Sequence, residues 1–306
     1  MSAPVDAKTF DGKTFDGKTF DGKTFKAATR EQWDRHAKGW SDHGAQIGAW
    51  LREATAAMLA MAEIGTGAHV LDVAAGAGDQ TLDIAKRVGP SGFVLATDLS
   101  PSILEFARTK ARLAGYGNIK TVVADGEDLA IEEAVFDAAI CRLGLMFFPD
   151  PERGLLEMFR ALKPGGRACT MVFSAPDRNP CVSILLATAL KHAGLPPRDP
   201  YQAGGLLSLG KPGLTDALFR RAGFSQVAST TVAAPFRLAS VDHYLEFIRT
   251  SASPVLQILA RLDAAARDAA WADIHERLSV FNTPGGWEGP NELVLTIGRR
   301  RSEPAG

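Results

Sequence analysis

From Ala68 onward, short apolar runs alternate with longer stretches in which apolar residues return every three or four positions. The short runs predict strands at 69–74, 93–98, 119–124, 136–142 and 167–173. The longer stretches predict helices near 79–88, 101–114, 151–162 and 213–222. Ser100-Pro101 is a helix start, an N-cap residue followed by proline at the first helical position. Lys163-Pro164-Gly165-Gly166 stops a helix and turns into a strand. Strand–helix alternation at this spacing predicts an α/β fold, a parallel sheet with helices on both faces.

The flanks read differently. Trp33, Ala37, Trp40, Ile47, Trp50, Leu51, Ala54, Met58 and Leu59 make 28–62 an amphipathic helical cap, ended by Gly65-Thr66-Gly67. Strands at 225–233 and 292–299 enclose an apolar helical block at 241–281, which predicts a helical cover. Ahead of all this, Lys8-Thr9-Phe10-Asp11-Gly12 recurs from Lys13 and Lys18, and again from Lys23 as far as Phe25. A period of five builds neither a helical nor a strand face, and Gly12, Gly17 and Gly22 weaken any helix. Residues 1–27 therefore read as a low-complexity, disordered extension, with docking through Phe10, Phe15, Phe20 and Phe25 as the alternative. The remainder, 28–306, reads as one domain: cap 28–62, ligand-binding core 68–174, cover insertion 241–281.

Composition narrows the partners. Of 306 residues, 46% are hydrophobic and 23% charged, enough for a sizeable core and against global disorder. Lys+Arg 34 against Asp+Glu 35 leaves a net charge of -1, without the basic surplus that gripping nucleic acid requires. Cys141, Cys169 and Cys181 form neither a disulfide framework nor a metal-ligand spacing, and suit a reducing compartment. No secretory signal and no membrane span are read from the chain, so the expectation is a cytoplasmic protein.

The sharpest chemical feature is Val70-Leu71-Asp72-Val73-Ala74-Ala75-Gly76-Ala77-Gly78-Asp79, a strand entering a Gly-x-Gly turn and then a helix. Such a turn lets backbone approach a ligand, and the helix start offers free amides. Asp98 ends the next strand, placed to accept from ribose hydroxyls, and Asp125-Gly126 ends the third, placed for the amine of an adenine ring. The dehydrogenase fingerprint wants a third glycine where Thr81 stands. Asp72 near the turn would repel a pyrophosphate and favour a ligand carrying sulfonium and ammonium groups.

With these residues in place, 69–174 resembles the class I S-adenosylmethionine-dependent methyltransferases, and most closely the ubiquinone and menaquinone biosynthesis group. Val70 to Gly78 resembles the first motif, Phe136 to Arg142 the fourth strand, Leu162 to Arg167 the turn into the fifth, and Arg142-Leu-Gly-Leu-Met-Phe-Phe-Pro149 the small-molecule members. The resemblance implies a Rossmann-like sheet of seven strands with the last antiparallel. It implies S-adenosyl-L-methionine as cofactor and S-adenosyl-L-homocysteine as product. The cofactor-binding candidates it gives are Asp72, Ala74, Gly76, Gly78, Asp98, Leu99, Asp125, Gly126 and Arg142, with Arg142 near the methionine end. Residues 1–27 and 241–281 lie outside the resemblance.

The function expected is methyl transfer to a small, partly apolar acceptor at oxygen, nitrogen or carbon. Alignment and water exclusion would carry it under the cover residues Tyr244, Phe247, Ile248, Val255, Leu256, Ile258, Leu259 and Leu262. His36, His43 and His243 are candidate general bases, but no catalytic residue is assigned and no metal is expected. The alternatives are a non-catalytic or partner-dependent S-adenosylmethionine-binding protein and a nicotinamide oxidoreductase. The oligomeric state is open, a homodimer included.

Overall fold

The computed structural model describes residues 14–15, 18–19, 21–251 and 253–301. The repeat residues Phe10 and Phe20, and with them most of the extension, lie outside the described residues. Within it, β1 (Thr14–Phe15) pairs antiparallel with β2 (Lys18–Thr19). The cap comprises α1 (Gly22–Asp42) and α2 (Gly44–Met61), which break at His43 rather than forming one helix. Helix α1 starts six residues ahead of the expected 28, because Asp21 caps it and accepts from the Lys23 amide.

The core then follows the predicted alternation: β3 (His69–Val73), α3 (Asp79–Val88), β4 (Phe93–Asp98), α4 (Pro101–Leu113), β5 (Ile119–Val123) and β6 (Phe136–Arg142). Helix α5 (Pro151–Ala161) leads into β7 (Leu162–Phe173). Ser100 caps α4 through its side chain, and Asp150 does the same for α5. Next come α6 (Pro180–His192), α7 (Leu214–Arg221), β8 (Ser225–Ala233) and β9 (Phe236–Leu238). The expected cover at 241–281 is three helices, α8 (Val241–Ser251), α9 (Ser253–Leu259) and α10 (Ala264–Leu278). The chain closes with β10 (Asn282–Thr283), β11 (Gly286–Gly289) and β12 (Glu292–Arg299).

The main sheet has seven strands in the order β5-β4-β3-β6-β7-β12-β8. Strands β3 to β7 run parallel, and β12 is antiparallel to both its neighbours, β7 and β8. The chain leaves β3 first toward β4 and β5, then returns to its other side with β6 and β7. The carboxyl ends of β3 and β6 are therefore a topological switch point, where open α/β sheets hold ligands. The central strands are largely apolar because both faces are covered, and Val70, Leu71, Val94, Ala139, Ile140 and Met171 are buried, whereas the edge strands β5 and β8 are more exposed. Helix α2 adds Ile47, Leu51 and Met58 to the same core.

Beside the main sheet, β10-β11-β9 make a small antiparallel sheet. It carries Trp287, whose indole nitrogen donates to the Leu278 carbonyl at 2.7 Å and so ties the small sheet to the end of α10. Helices α1 and α8 pack against each other, as do α6 and α10.

Candidate functional site

The Gly-x-Gly turn is organised from beneath by Asp72. Its carboxylate accepts from Thr81 Oγ1 at 2.6 Å and from Gln80 Nε2 at 3.2 Å, and Gln80 also donates to the Ala75 carbonyl at 3.1 Å. Thr81, at the third-glycine position, thereby bolts the start of α3 to the end of β3. Asp72 is fully buried, which pushes its pKa up to about 6 although the Thr81 and Gln80 bonds pull the other way. Gly78 has φ +85, and a Cβ there would stand 2.7 Å from the Ala107 Cβ on α4. Only glycine lets these two helices meet so closely. Asp72 and Gly78 shape the turn but do not line the cavity above it, in contrast to the direct contacts expected of them.

The other seven predicted residues, Ala74, Gly76, Asp98, Leu99, Asp125, Gly126 and Arg142, line one cavity over the switch point. Asp98 ends β4 and accepts from the Gly76 amide through Oδ2 and the Ser100 amide through Oδ1, both at 3.0 Å. Those bonds aim the carboxylate across the turn. Burial raises its pKa to about 6 against their pull. Asp125 Oδ1 accepts from the Glu127 amide at 2.9 Å, while Oδ2 meets Lys26 Nζ at 2.6 Å. Lys26 also reaches Glu127 at 2.5 Å. Burial costs Lys26 hydration, yet its two carboxylate partners raise its pKa overall. Glu127 is raised as well, because its own burial outweighs Lys26. At the same corner the Phe148 ring lies on Gly126, where an added Cβ would meet it at 2.2 Å.

Arg142 closes the opposite end of this half. It is 7% exposed and donates to Thr55 Oγ1 at 3.0 Å. Burial lowers its pKa, opposed by the charges of Asp79, Asp72 and Asp83. A guanidinium carries five N–H donors, and one bond to a hydroxyl leaves it able to take an anion from the cavity.

Beyond Arg142 the cavity crosses the ends of β7 and β12 and becomes aromatic. Trp50 stacks on Phe236 with ring centroids 4.0 Å apart, and its indole donates to the Ala234 carbonyl at 2.7 Å. Tyr244 packs on Phe236 at 5.0 Å, and Phe247 closes on Trp40 at 5.9 Å. From the other side Trp33 meets Trp40 edge-on at 5.6 Å and Phe147 at 5.8 Å. The two tryptophans of α1 are therefore packing and cavity wall at once. Helix α1 is pinned there by Asp34, which accepts from Ser100 Oγ at 2.6 Å.

No candidate histidine reaches this space. His36 and His43 are engaged with Thr250 at 3.3 and 3.0 Å, and His243 with Ser240 at 3.0 Å. Several wall residues escaped the sequence reading. Lys26 was assigned to the repeat, although it breaks the repeat's own rule by standing where earlier units place Asp11, Asp16 and Asp21. Val182 and Leu185 belong to α6, unread although Asn179-Pro180 and the apolar positions 181, 182, 185 and 189 mark a helix. Phe236 sits on a three-residue strand, and Asn291 in the two-residue link between β11 and β12, too short for any period to show.

Sheet order, antiparallel β12 and a switch-point cavity with acids at the ends of β4 and β5 define the class I S-adenosylmethionine-dependent methyltransferase fold. Solved structures agree: the YcgJ protein of Bacillus subtilis superposes with a TM-score of 0.57 at 20% identity, over 82% of this chain and 100% of its own. Phosphoethanolamine N-methyltransferase 2 of Haemonchus contortus does so at 0.54 and 14% identity, over 94% of this chain and 62% of its own. Within that class, residues 48–186 match the ubiE/COQ5 methyltransferase family. A ubiquinone/menaquinone biosynthesis C-methyltransferase of Pasteurella multocida is 41% identical over 119 residues, 39% of this chain and 44% of that protein. The corresponding protein of Hahella chejuensis is 41% identical over 121 residues, 39% of this chain and 48% of its own. Both matches span less than half the length of those relatives. Among the described residues no helix is long and apolar enough to cross a membrane, and no group of three or more acidic, histidine or cysteine side chains is arranged for a metal.

Proposed function

We propose that the protein transfers a methyl group from S-adenosylmethionine to a small, partly apolar acceptor. One observation carries this reading: a single cavity joins the acids of β4 and β5 and the Arg142 guanidinium to an aromatic compartment with no break between them. The donor set suits the cofactor group by group. Asp98 can accept from both ribose hydroxyls, Asp125 from the adenine amine, and Arg142 can hold the carboxylate.

When bound, S-adenosylmethionine supplies an electrophilic methyl carbon on a positively charged sulfur. An acceptor lone pair would take that carbon while the carbon–sulfur bonding pair stays on sulfur as a neutral thioether. The chain's residues contribute by alignment, an effect worth up to about 7–11 kcal/mol in favourable cases. Asp98 and Arg142 fix one reactant from its two ends, while Trp50, Phe236 and Phe247 fix the plane of the other. The same aromatics and the α1 tryptophans exclude water, which blocks hydrolysis and strengthens every charge interaction inside.

Calorimetric titration of the full chain with S-adenosylmethionine, and separately with NADH, tests the cofactor. Binding of the first alone is the expected result, and binding of NADH alone overturns the reading. Transfer is tested with methyl-labelled cofactor against phenols, enols and amines of low polarity. Cofactor binding with no label moved to any of them would leave a binding protein and not a transferase.

A further inference from the structure

We propose that Asn291 is the specificity-determining polar anchor of the acceptor compartment, its amide oxygen taking a hydrogen bond from an O–H or N–H group on the acceptor. The inference deepens the methyltransferase reading and rests on it for the identity of the second reactant. Four buried side-chain nitrogen or oxygen atoms have no hydrogen-bond partner among the described residues: Gln46 Nε2, Asp79 Oδ2, Thr170 Oγ1 and Asn291 Oδ1. Of their residues, Asn291 is the one that lines the cavity. Buried acceptors are nearly always satisfied, and leaving one unpaired costs its desolvation. A ligand that brings a donor recovers that loss.

The side chain is held for this task. Asn291 is 3% exposed, its Nδ2 donates to the Gly289 carbonyl at 3.3 Å, and its backbone carbonyl accepts from the Ala234 amide at 2.8 Å. The Nδ2 bond fixes which end of the amide is the oxygen, since the flipped amide would set two carbonyl oxygens against each other. Position in the sheet fixes which reactant it serves. Asn291 immediately precedes β12, whose antiparallel course begins at the edge where the parallel strands end. There Leu293 stands opposite Phe173, and the Ser174 amide donates to the Glu292 carbonyl. Asp98 and Asp125 occupy the ends of β4 and β5, on the far side of β3. Asn291 thus belongs to the arm of the cavity walled by Trp50, Phe173, Phe236 and Leu185, where an unpaired polar atom confers direction on an otherwise apolar surface. It lies outside residues 48–186, so it is a feature of this chain beyond the family segment.

The test uses 4-propylphenol and 4-propylanisole, which differ in the presence of a donor, titrated into the full chain saturated with S-adenosylhomocysteine. Wild type is expected to prefer the phenol about tenfold, the scale of one hydrogen bond to a group otherwise left unpaired. Asn291→Leu should bind both probes alike while keeping its affinity for S-adenosylhomocysteine. Asn291→Ala, which removes the amide without adding an apolar branch or a second oxygen, should lose the preference for the phenol likewise, and it serves if the leucine variant does not fold. Equal preference in wild type and Asn291→Leu, or no binding of the phenol to wild type, overturns the proposal with the cofactor reading intact. Failure of S-adenosylhomocysteine to bind wild type would instead overturn the cofactor reading, and the probe preference measured without it still decides Asn291.

Discussion

Cofactor affinity should depend on pH through Asp98. Its carboxylate sits at the mouth of the Gly-x-Gly turn with two backbone amides bonded to it, and burial sets its pKa at about 6 in the free protein. To accept from two ribose hydroxyls it must be ionised, so below pH 6 binding has to expel a proton. The penalty factor is one plus the ratio of protonated to ionised carboxylate. It is close to one at pH 7 and about eleven at pH 5, so affinity falls roughly tenfold, or ~1.4 kcal/mol, between them. The sign follows because the bound state favours the charged form: affinity is full above pH 6 and lost as pH falls through it. Calorimetry with S-adenosylhomocysteine from pH 5 to 8 measures this, the ligand having no group of its own that titrates there. Asp98→Asn removes the charge and should weaken binding about ten- to hundredfold at pH 7, the range for hydrogen bonds to a charged group. It should also abolish the slope. Asp72 titrates in the same interval but lies sealed beneath the turn, so the variant separates the two. A wild-type affinity that stays level from pH 5 to 7, or a slope that survives in Asp98→Asn, would refute the ribose assignment.

Two further outcomes test the turn itself. Gly78→Ala places a Cβ 2.7 Å from Ala107 in a left-handed backbone conformation, and should destabilise the fold by about 2–4 kcal/mol in urea unfolding; an unchanged midpoint would mean that α3 and α4 do not meet as described. Asp72, with a folded pKa of about 6 against 3.8 unfolded, binds more protons when folded between those values, so its contribution to stability falls as pH rises through that window. The difference amounts to about 3 kcal/mol. Asp72→Asn should remove that decline from urea midpoints measured between pH 4 and 7, and parallel curves for the two proteins would sink the assignment.

How much of this was readable in the sequence divides along physical lines. Strands β3, β4, β6, β8 and β12 were placed within a residue, because short β-branched and apolar runs bounded by turn residues mark a strand whether both its faces are covered or one. That Asp98 lines the cavity was legible because a strand end is a position, and position is what a sequence encodes. Asp72 and Gly78 were expected at the ligand, and the structure places them beneath the turn and outside the cavity lining: the motif says which residues a turn requires, but not which of them face up and which face down. The cap was readable as a helix but not as two, since the break at His43 depends on where α1 and α2 must dock. The acceptor wall was the least legible part. It is assembled from α6, β9, α8 and the residue before β12, segments up to about a hundred residues apart in sequence, each too short or too polar to announce its partner.

The place of β12 within the sheet has a consequence for the order of events as the chain is made. Strand β8 is bonded to β12 and to no other strand of the main sheet. It is synthesised some sixty residues earlier and must wait, its hydrogen bonds unpaired, until Glu292–Arg299 arrives and slides between it and β7. The corner built by β3, β4 and β5 needs no such delay. A nascent chain can therefore complete the acidic end of its cavity while the aromatic end is still open, and Asn291 is among the last residues to take its place. A closed aromatic end becomes a signature of a finished molecule, whereas a formed acidic end is not.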